Sequence, residues 1–279
     1  MNGDLSPDLT IGQIKDSLTG RFGEPVRFFD VIGSTNGEGL DWALSGCPEG
    51  SIVVTDHQTS GRGRWGRSWF SQPGKLLQFS LILRPNLPPG RAGILTTALG
   101  VACTRAVRSL TDLPVQIKWP NDVVMQGRKL AGMLVETTTV VGSSIDAAVC
   151  GLGINVHLVK EEIPLELRDR ASSLAIELDG RPVPRRSVLL ARIIDEIEAL
   201  YPAVTGDATP LIAEAAELSA VLGSDVVVRF VDGATVTGRA DSFDDDGGLR
   251  IATGTALVTV RVGEIEQLRA GHANESGGA

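Results

Sequence analysis

Between Gln58 and Trp69 the chain reads Q-T-S-G-R-G-R-W-G-R-S-W. Gly61, Gly63 and Gly66 let the backbone bend through conformations that other residues avoid and approach a ligand closely. Arg62, Arg64 and Arg67 carry permanent charge in a planar fork that fits phosphate or carboxylate. The run therefore has to be a loop, and a cationic one able to close over an anion. A strand leads directly into it, because Ser51 to Asp56 (S-I-V-V-T-D) is a short apolar run of the buried type. Two other readings of the loop stay open on its residues alone: a solvated basic turn, or a glycine-rich linker. It is neither a Walker loop, since no G-K-[ST] follows, nor a dinucleotide fingerprint, since the glycine spacing is wrong.

The positive charge of this loop is local. Over 279 residues the net charge is -8, and the pI is near 5.0, which argues against non-specific attraction to nucleic acid or to an anionic membrane. Cys47, Cys103 and Cys150 lie far apart in or beside apolar stretches, as buried free thiols do in a reducing compartment. His57, His157 and His272 are not spaced as zinc ligands. The start, M-N-G-D-L-S-P, lacks the basic leader and apolar core of a signal peptide. The uncharged run from Ala92 to Thr104 is too short to span a bilayer. The expected location is cytoplasmic.

Periodicity predicts a helix over 8 to 22 with Leu9, Ile11, Ile14 and Leu18 on one face, and a strand from Val26 to Ile32. A helix from Asn36 to Leu44 follows, with Ser34 or Thr35 as its N-cap. Leu76 to Leu83 is a strand, Pro85 to Gly90 breaks the chain, and Ala92 to Leu110 is a long apolar helix. Val115 to Trp119 and Asp122 to Met125 form one arm of a hairpin that turns at Gln126-Gly127 and returns from Arg128 to Glu136. Ile145 to Val156 is another strand, and Leu189 to Tyr201 a helix. This mixture predicts an α+β fold, a mixed β-sheet with flanking helices. Beyond Leu218 the pattern changes to short alternating strands at Val226–Val231, Thr235–Ser242, Leu249–Ala252 and Leu257–Val262, an SH3-like barrel in size. Asp244, Asp245 and Asp246 are expected to solvate a hairpin tip. The expected domains are an N-terminal extension (1–25), a catalytic domain (26–218), the β-module (219–269) and a disordered tail (270–279).

Two more segments carry chemistry. In K-W-P-N-D-V-V-M-Q-G-R-K-L-A-G, from Lys118 to Gly132, Lys118, Asn121, Asp122 and Lys129 surround a hairpin. A lysine there can neutralise a phosphate or carboxylate, and an aspartate can hold a hard cation such as Mg2+. An ordinary surface hairpin fits as well. In C-G-L-G-I-N-V, from Cys150 to Val156, Gly151 and Gly153 mark a place where something approaches a strand closely, whether a ligand or a bulky core neighbour.

In order, S-T-N, Q-T-S-G-R-G-R-W-G-R-S-W, K-W-P-N-D, G-R-K-L-A-G and G-L-G-I-N-V resemble the biotin protein ligases, and the resemblance runs from about Phe28 to Leu268. It implies a class II synthetase-like catalytic domain with an SH3-like domain after it. By resemblance, Ser34, Thr35, Asn36 and Gln58 line a biotin pocket. Gly61, Arg62, Gly63 and Arg64 fold over biotin and its adenylate, and Gly132 and Gly151 belong to the same set. Lys129 contacts the biotin carboxylate and the α-phosphate, so Arg62, Arg64 and Lys129 are the implied catalytic residues. Arg64, Arg67, Trp69, Asn121, Asp122, Lys129 and Asn155 are the implied ATP contacts, with Asp122 beside Mg2+. Trp65 departs from the family, which places another arginine there in some members.

The implied activity is ATP-dependent: biotin becomes biotinyl-5'-AMP and then passes to a lysine of the biotin carboxyl carrier protein of acetyl-CoA carboxylase or a related carboxylase. Only about 25 residues precede the first strand, whereas repressor members carry a winged-helix domain roughly twice that long. The monofunctional type is therefore expected, as monomer or homodimer, binding no nucleic acid and no membrane. A lipoate- or octanoate-transferring relative and a non-catalytic biotin-sensing repressor are the alternatives.

Overall fold

The protein is described by a computed structural model covering residues 8–138 and 140–267. The expected tail and the first seven residues lie outside the described residues. The elements run α1 (Ile11–Ser17), β1 (Val26–Ile32), α2 (Thr35–Leu44), β2 (Ile52–Gln58), β3 (Leu76–Leu83) and α3 (Gly93–Thr111). They continue as β4 (Gln116–Lys118), β5 (Asp122–Met125), β6 (Arg128–Thr137), β7 (Val140–Val141), β8 (Ser144–Ile145) and β9 (Ala148–Asn155). Then come α4 (Leu174–Leu178), α5 (Arg186–Thr205) and α6 (Thr209–Glu217). Last are β10 (Asp225–Arg229), β11 (Thr235–Phe243), β12 (Leu249–Ala252), β13 (Leu257–Val260) and β14 (Glu264–Gln267).

A seven-stranded sheet has the order β1-β2-β3-β9-β6-β5-β4. Only β1 and β2 are parallel; the remaining pairs are antiparallel. Its middle strands, β3 and β9, are buried along their whole length, as strands covered on both faces must be. Alternation separates the faces. Leu77, Phe79, Leu81 and Leu83 of β3, with Cys150, Leu152 and Ile154 of β9, enter the main core with Leu99 and Cys103 of α3 and Ile193 and Ile197 of α5. Ile82 and Val149 point the other way, against Ala43 of α2. Burial pushes the Cys103 and Cys150 thiols up to about 12, so they pack as apolar side chains.

A second, five-stranded antiparallel sheet has the order β13-β12-β11-β10-β14. Trp119, from the β4–β5 reversal, enters its core beside Val226, Val228, Leu249 and Ile251. The Trp119 indole N–H donates to the Gly247 carbonyl at 2.9 Å. Among the described residues no helix is long and apolar enough to cross a membrane.

Several expectations need correction. The first helix is only seven residues long, and Ile11 is exposed while Leu9 and Ile14 are buried. Val115–Trp119 and Asp122–Met125 are not one arm: the chain reverses at Pro120-Asn121, and β4 pairs antiparallel with β5. Ile145 belongs to the short β7–β8 ribbon, so the long strand starts at Ala148. The strand that starts at Leu257 ends at Val260 rather than Val262. Helices α4 and α6 and strand β14 were not anticipated. The aspartate run does sit at a hairpin turn, between β11 and β12, but of the three only Asp245 is exposed. Asp244 is buried, accepts from the Asp246 and Gly248 amides at 3.0 and 2.7 Å, and pairs with Arg261 at 2.6 Å. Asp246 reaches Arg91, just before α3, at 2.7 Å.

Arg186, at the start of α5, is a buried cation. It pairs with Asp8 at 2.7 Å and Asp56 at 2.6 Å and donates to the Leu76 carbonyl at 3.0 Å. Burial alone would push the Asp8 carboxyl up. Hydrogen bonds from His157 and the Arg186 amide, with the Arg186 charge, outweigh it and hold Asp8 well below the usual carboxylate range. Stability from Asp8 is therefore complete above its unfolded-state pKa, near about 3.9, and is lost as pH falls below that value. Asp8→Asn should flatten this acid limb of a urea-denaturation series. Arg186→Met leaves two carboxylates without their cation and should cost about 3–5 kcal/mol, read as a lower urea midpoint.

Candidate active site

The site rests on the face of the large sheet opposite the α3–α5 core. Strand register places Ser80 beside Gly151 and Gln78 beside Gly153, and Gly132 and Leu134 of β6 on their other side. Side-chain alternation puts Glu136 on this face as well. A Cβ at Gly151 would lie 2.1 Å from Asn36 Oδ1, and one at Gly153 2.6 Å from the Trp69 indole. Two missing side chains thus let Asn36 and Trp69 lie directly on the strand.

The start of α2 forms one wall. Ser34 is its N-cap, with the Gly37 amide 3.5 Å from the hydroxyl, so Ser34, Thr35 and Asn36 face the cleft from the first turn. Thr35 N–H donates to Gln58 Oε1 at 2.8 Å. Asn36 Nδ2 donates to the Leu134 carbonyl at 3.1 Å and to Glu136 at 2.8 Å, while Ser80 Oγ donates to Asn36 Oδ1 at 2.6 Å.

The Gly/Arg loop forms the roof. Bonds from Gly63 N to Arg67 O (2.7 Å) and from Trp69 N to Gly61 O (2.9 Å) close it. Trp65 takes a left-handed backbone at φ 58°, with the Arg64 and Arg67 guanidinium carbons 5.3 and 5.5 Å from its ring centre. Arg62, Arg64, Arg67 and Lys129 each meet an oxygen of the protein. Arg62 pairs with Glu136 at 3.0 Å, and Lys129 with Asp122 at 2.6 Å. Arg67 pairs with Glu264. Arg64 donates to Asn121 Oδ1 at 3.3 Å and to the Gly263 carbonyl at 3.2 Å. Burial lowers the pKa of Arg64 against the opposing pull of Asp122 and Glu264. The Glu264 hydrogen bond raises that of Arg67.

These walls enclose a cleft of about 830 Å3, open mouth included. Ser34, Thr35, Asn36, Gln58, Arg62, Gly63, Arg64, Arg67, Trp69, Asn121, Asp122, Lys129, Gly132 and Gly151 all line it. Gly61 does not; it lies under the loop, where a Cβ would meet the Trp69 carbonyl at 2.9 Å. Asn155 lines a second cleft that shares Trp69, Asp122 and Lys129 with the first and extends along Phe70, Leu158, Ile163 and Leu167. Its side-chain amide is committed to the Ser172 carbonyl at 2.8 Å. Lys129 stands at the junction, its ammonium 5.3 Å from the Trp69 ring centre. The Trp69 indole N–H is buried there without a partner among the described residues, a donor ready for a ligand acceptor. Among the described residues no three acidic, histidine or cysteine side chains cluster as a metal site. Sequence reasoning missed Gln78, Ser80, Glu136 and Glu264. The signal for the first two was polar residues on the opposite phase of an apolar strand; none marks the two glutamates.

The class of protein is a protein ligase: residues 28–155 match the biotin/lipoate A/B protein ligase family. The chain is similar to the biotin–[acetyl-CoA-carboxylase] ligase of Mycobacterium tuberculosis, with 33% identity over 273 residues, 95% of this chain and 98% of the relative. It is 32% identical over 244 residues to the bifunctional ligase/repressor BirA of Bacillus spizizenii, covering 88% of this chain and 74% of that protein. The Aquifex aeolicus biotin protein ligase solved in complex with biotin and ATP superposes with a TM-score of 0.75 at 29% identity, covering 88% of this chain and 100% of the other. The chain belongs to the biotin protein ligase family.

Gly153→Ala tests the packing of the roof on the floor. The added methyl must displace the Trp69 ring, which should shift tryptophan fluorescence and raise substrate KM about tenfold, equivalent to about 1.4 kcal/mol. Gly90→Ala, where a Cβ meets nothing within 4 Å, is the silent control.

Proposed function

We propose that this cleft joins biotin to ATP and then hands the biotinyl group to a lysine of a biotin carboxyl carrier domain of acetyl-CoA carboxylase or a related carboxylase. The observation that carries the reading is the position of Lys129. It stands where two clefts meet, beneath a roof of three arginines. The smaller inner cleft, lined by Ser34, Thr35 and Gln58, suits a small ring that needs a few fixed hydrogen bonds. The wider outer cleft suits the nucleotide.

In the first step a biotin carboxylate oxygen attacks the α-phosphorus of ATP. The bond to pyrophosphate breaks, and biotinyl-5'-AMP remains. Two anions must approach, and negative charge builds at the α-phosphate. Lys129, Arg62 and Arg64 offset it from fixed positions. In the second step a neutral lysine amine attacks the acyl carbon, the acyl–oxygen bond to AMP breaks, and the amine loses a proton. The roof shields the adenylate from water until then.

Trp69, Arg67 and Asn121 border the nucleotide side, and Asn155 supports it through its cleft. Mg2+ fits as part of the nucleotide substrate rather than as a resident ion. Asp122 is a single carboxylate already paired with Lys129, and such an ion is usually held by one or two carboxylates plus substrate phosphates. When bound, it supplies charge screening of the phosphates. The unpaired, buried Cys47, Cys103 and Cys150 fit a reducing compartment, which supports a cytoplasmic location for the reaction.

The test is biotin-dependent pyrophosphate release with MgATP, followed by labelling of a purified carrier domain. Release driven by lipoate or octanoate in place of biotin would overturn the reading. Lys129→Ala should lower adenylate formation about 10²–10³-fold with an unchanged melting temperature. Wild-type turnover in that variant removes Lys129 from the chemistry.

A further inference from the structure

Gln58 faces the inner cleft, but the residue that determines how it faces lies behind it. Gln78 is fully buried on β3 and does not line the cleft. Its Oε1 accepts from Gln58 Nε2 at 2.9 Å. Its own Nε2 donates to the Asp56 carbonyl at 3.3 Å and to Ser71 Oγ at 2.9 Å. At the far end, Gln58 Oε1 accepts from the Thr35 backbone N–H at 2.8 Å. Both ends of this chain are backbone groups whose roles cannot be exchanged: Asp56 offers only an acceptor, and Thr35 N only a donor. The two carboxamides between them can therefore satisfy every partner in one orientation alone.

We infer that Gln78 is a positioning residue that locks the polarity of Gln58, and with it makes the Thr35 side of the inner cleft an acceptor surface for ligand N–H groups. Asn36 Nδ2 is committed to Leu134 and Glu136, so Asn36 Oδ1 takes the Ser80 hydroxyl proton. With its own proton on Asn36, Ser80 Oγ accepts from the Thr35 hydroxyl at 2.8 Å, and Gln58 Oε1, 3.3 Å from that hydroxyl, keeps a lone pair for the cleft. Lone pairs, not protons, are left at Thr35 Oγ1, and these complement the ring N–H groups of a cyclic urea. The inference rests on the biotin reading and names which residue enforces it. Without Gln78, Gln58 Nε2 loses the acceptor that holds it, which favours rotation out of the productive geometry.

Biotin titrations of pyrophosphate release test it. Gln78→Met should raise the biotin KM about tenfold or more and leave the ATP KM unchanged. In a Gln58→Met background the same change should add nothing, because the group it orients is gone. Gln78→Glu is the conservative rescue. Neutral or ionised, its carboxyl group still offers Gln58 Nε2 an acceptor, so its biotin KM should stay near wild type. A wild-type biotin KM in Gln78→Met overturns the inference, as does independent multiplication of the two methionine effects or a biotin KM in Gln78→Glu raised as far as in Gln78→Met. Should Gln78→Met fail to melt cooperatively, the biotin KM of Gln78→Glu decides. A wild-type protein that releases no pyrophosphate with biotin refutes the biotin reading instead.

Discussion

The site exists because two side chains are missing from one strand. β9 runs through the middle of the large sheet, and its neighbours on both sides are fixed by continuous antiparallel pairing. With ordinary residues at 151 and 153 the sheet could still pair, but Asn36 and Trp69 could not lie on it. The wall built from α2 and the roof built from the Gly/Arg loop would both be lifted. The inner cleft is the space left between a floor that is low because it is glycine and covers that are held down by hydrogen bonds.

A second constraint is electrostatic. A site that brings two anions together needs several cations close to one another, and these repel in the absence of substrate. Here each is held by an oxygen of the protein: Glu136 for Arg62, Glu264 for Arg67, Asp122 for Lys129, and Asn121 with the Gly263 carbonyl for Arg64. The pairs come from β6, β5, the β13–β14 turn and β14, so the charge balance of the cleft is distributed over both sheets. This explains how so basic a loop sits quietly in an acidic protein.

Much of this was legible in the amino-acid sequence. β1 and β3 coincide with the runs read from residue pattern, because an apolar run bounded by turns can hardly be anything else in a mixed sheet. The cleft residues were legible as ordered motifs rather than from periodicity. What escaped depends on partners far along the chain. β14 reads as E-I-E-Q, too short and polar to stand out, and is a strand because β10 pairs with it. Glu136 and Glu264 are ordinary charges until the fold sets them against Arg62 and Arg67. Asp244 and Asp246 read as solvated because their partners, Arg91 and Arg261, lie elsewhere in the chain. Gln78 and Ser80 were hidden inside a strand whose apolar neighbours dominated the pattern.

The grip of the β13–β14 turn on the roof has a consequence for how the molecule is assembled. Arg64 and the Gly263 carbonyl are 199 positions apart in the chain, and contacts of such separation form only after much of the intervening chain is in place. A chain in which the large sheet has formed but the small one has not would have the floor of the cleft and the first turn of α2, yet only Asn121 to hold Arg64 and no Glu264 to hold Arg67. The roof of such a partly folded molecule is incomplete. Activity and completion of folding are thereby coupled through a single loop, and a reactive intermediate is confined to molecules whose two sheets have met.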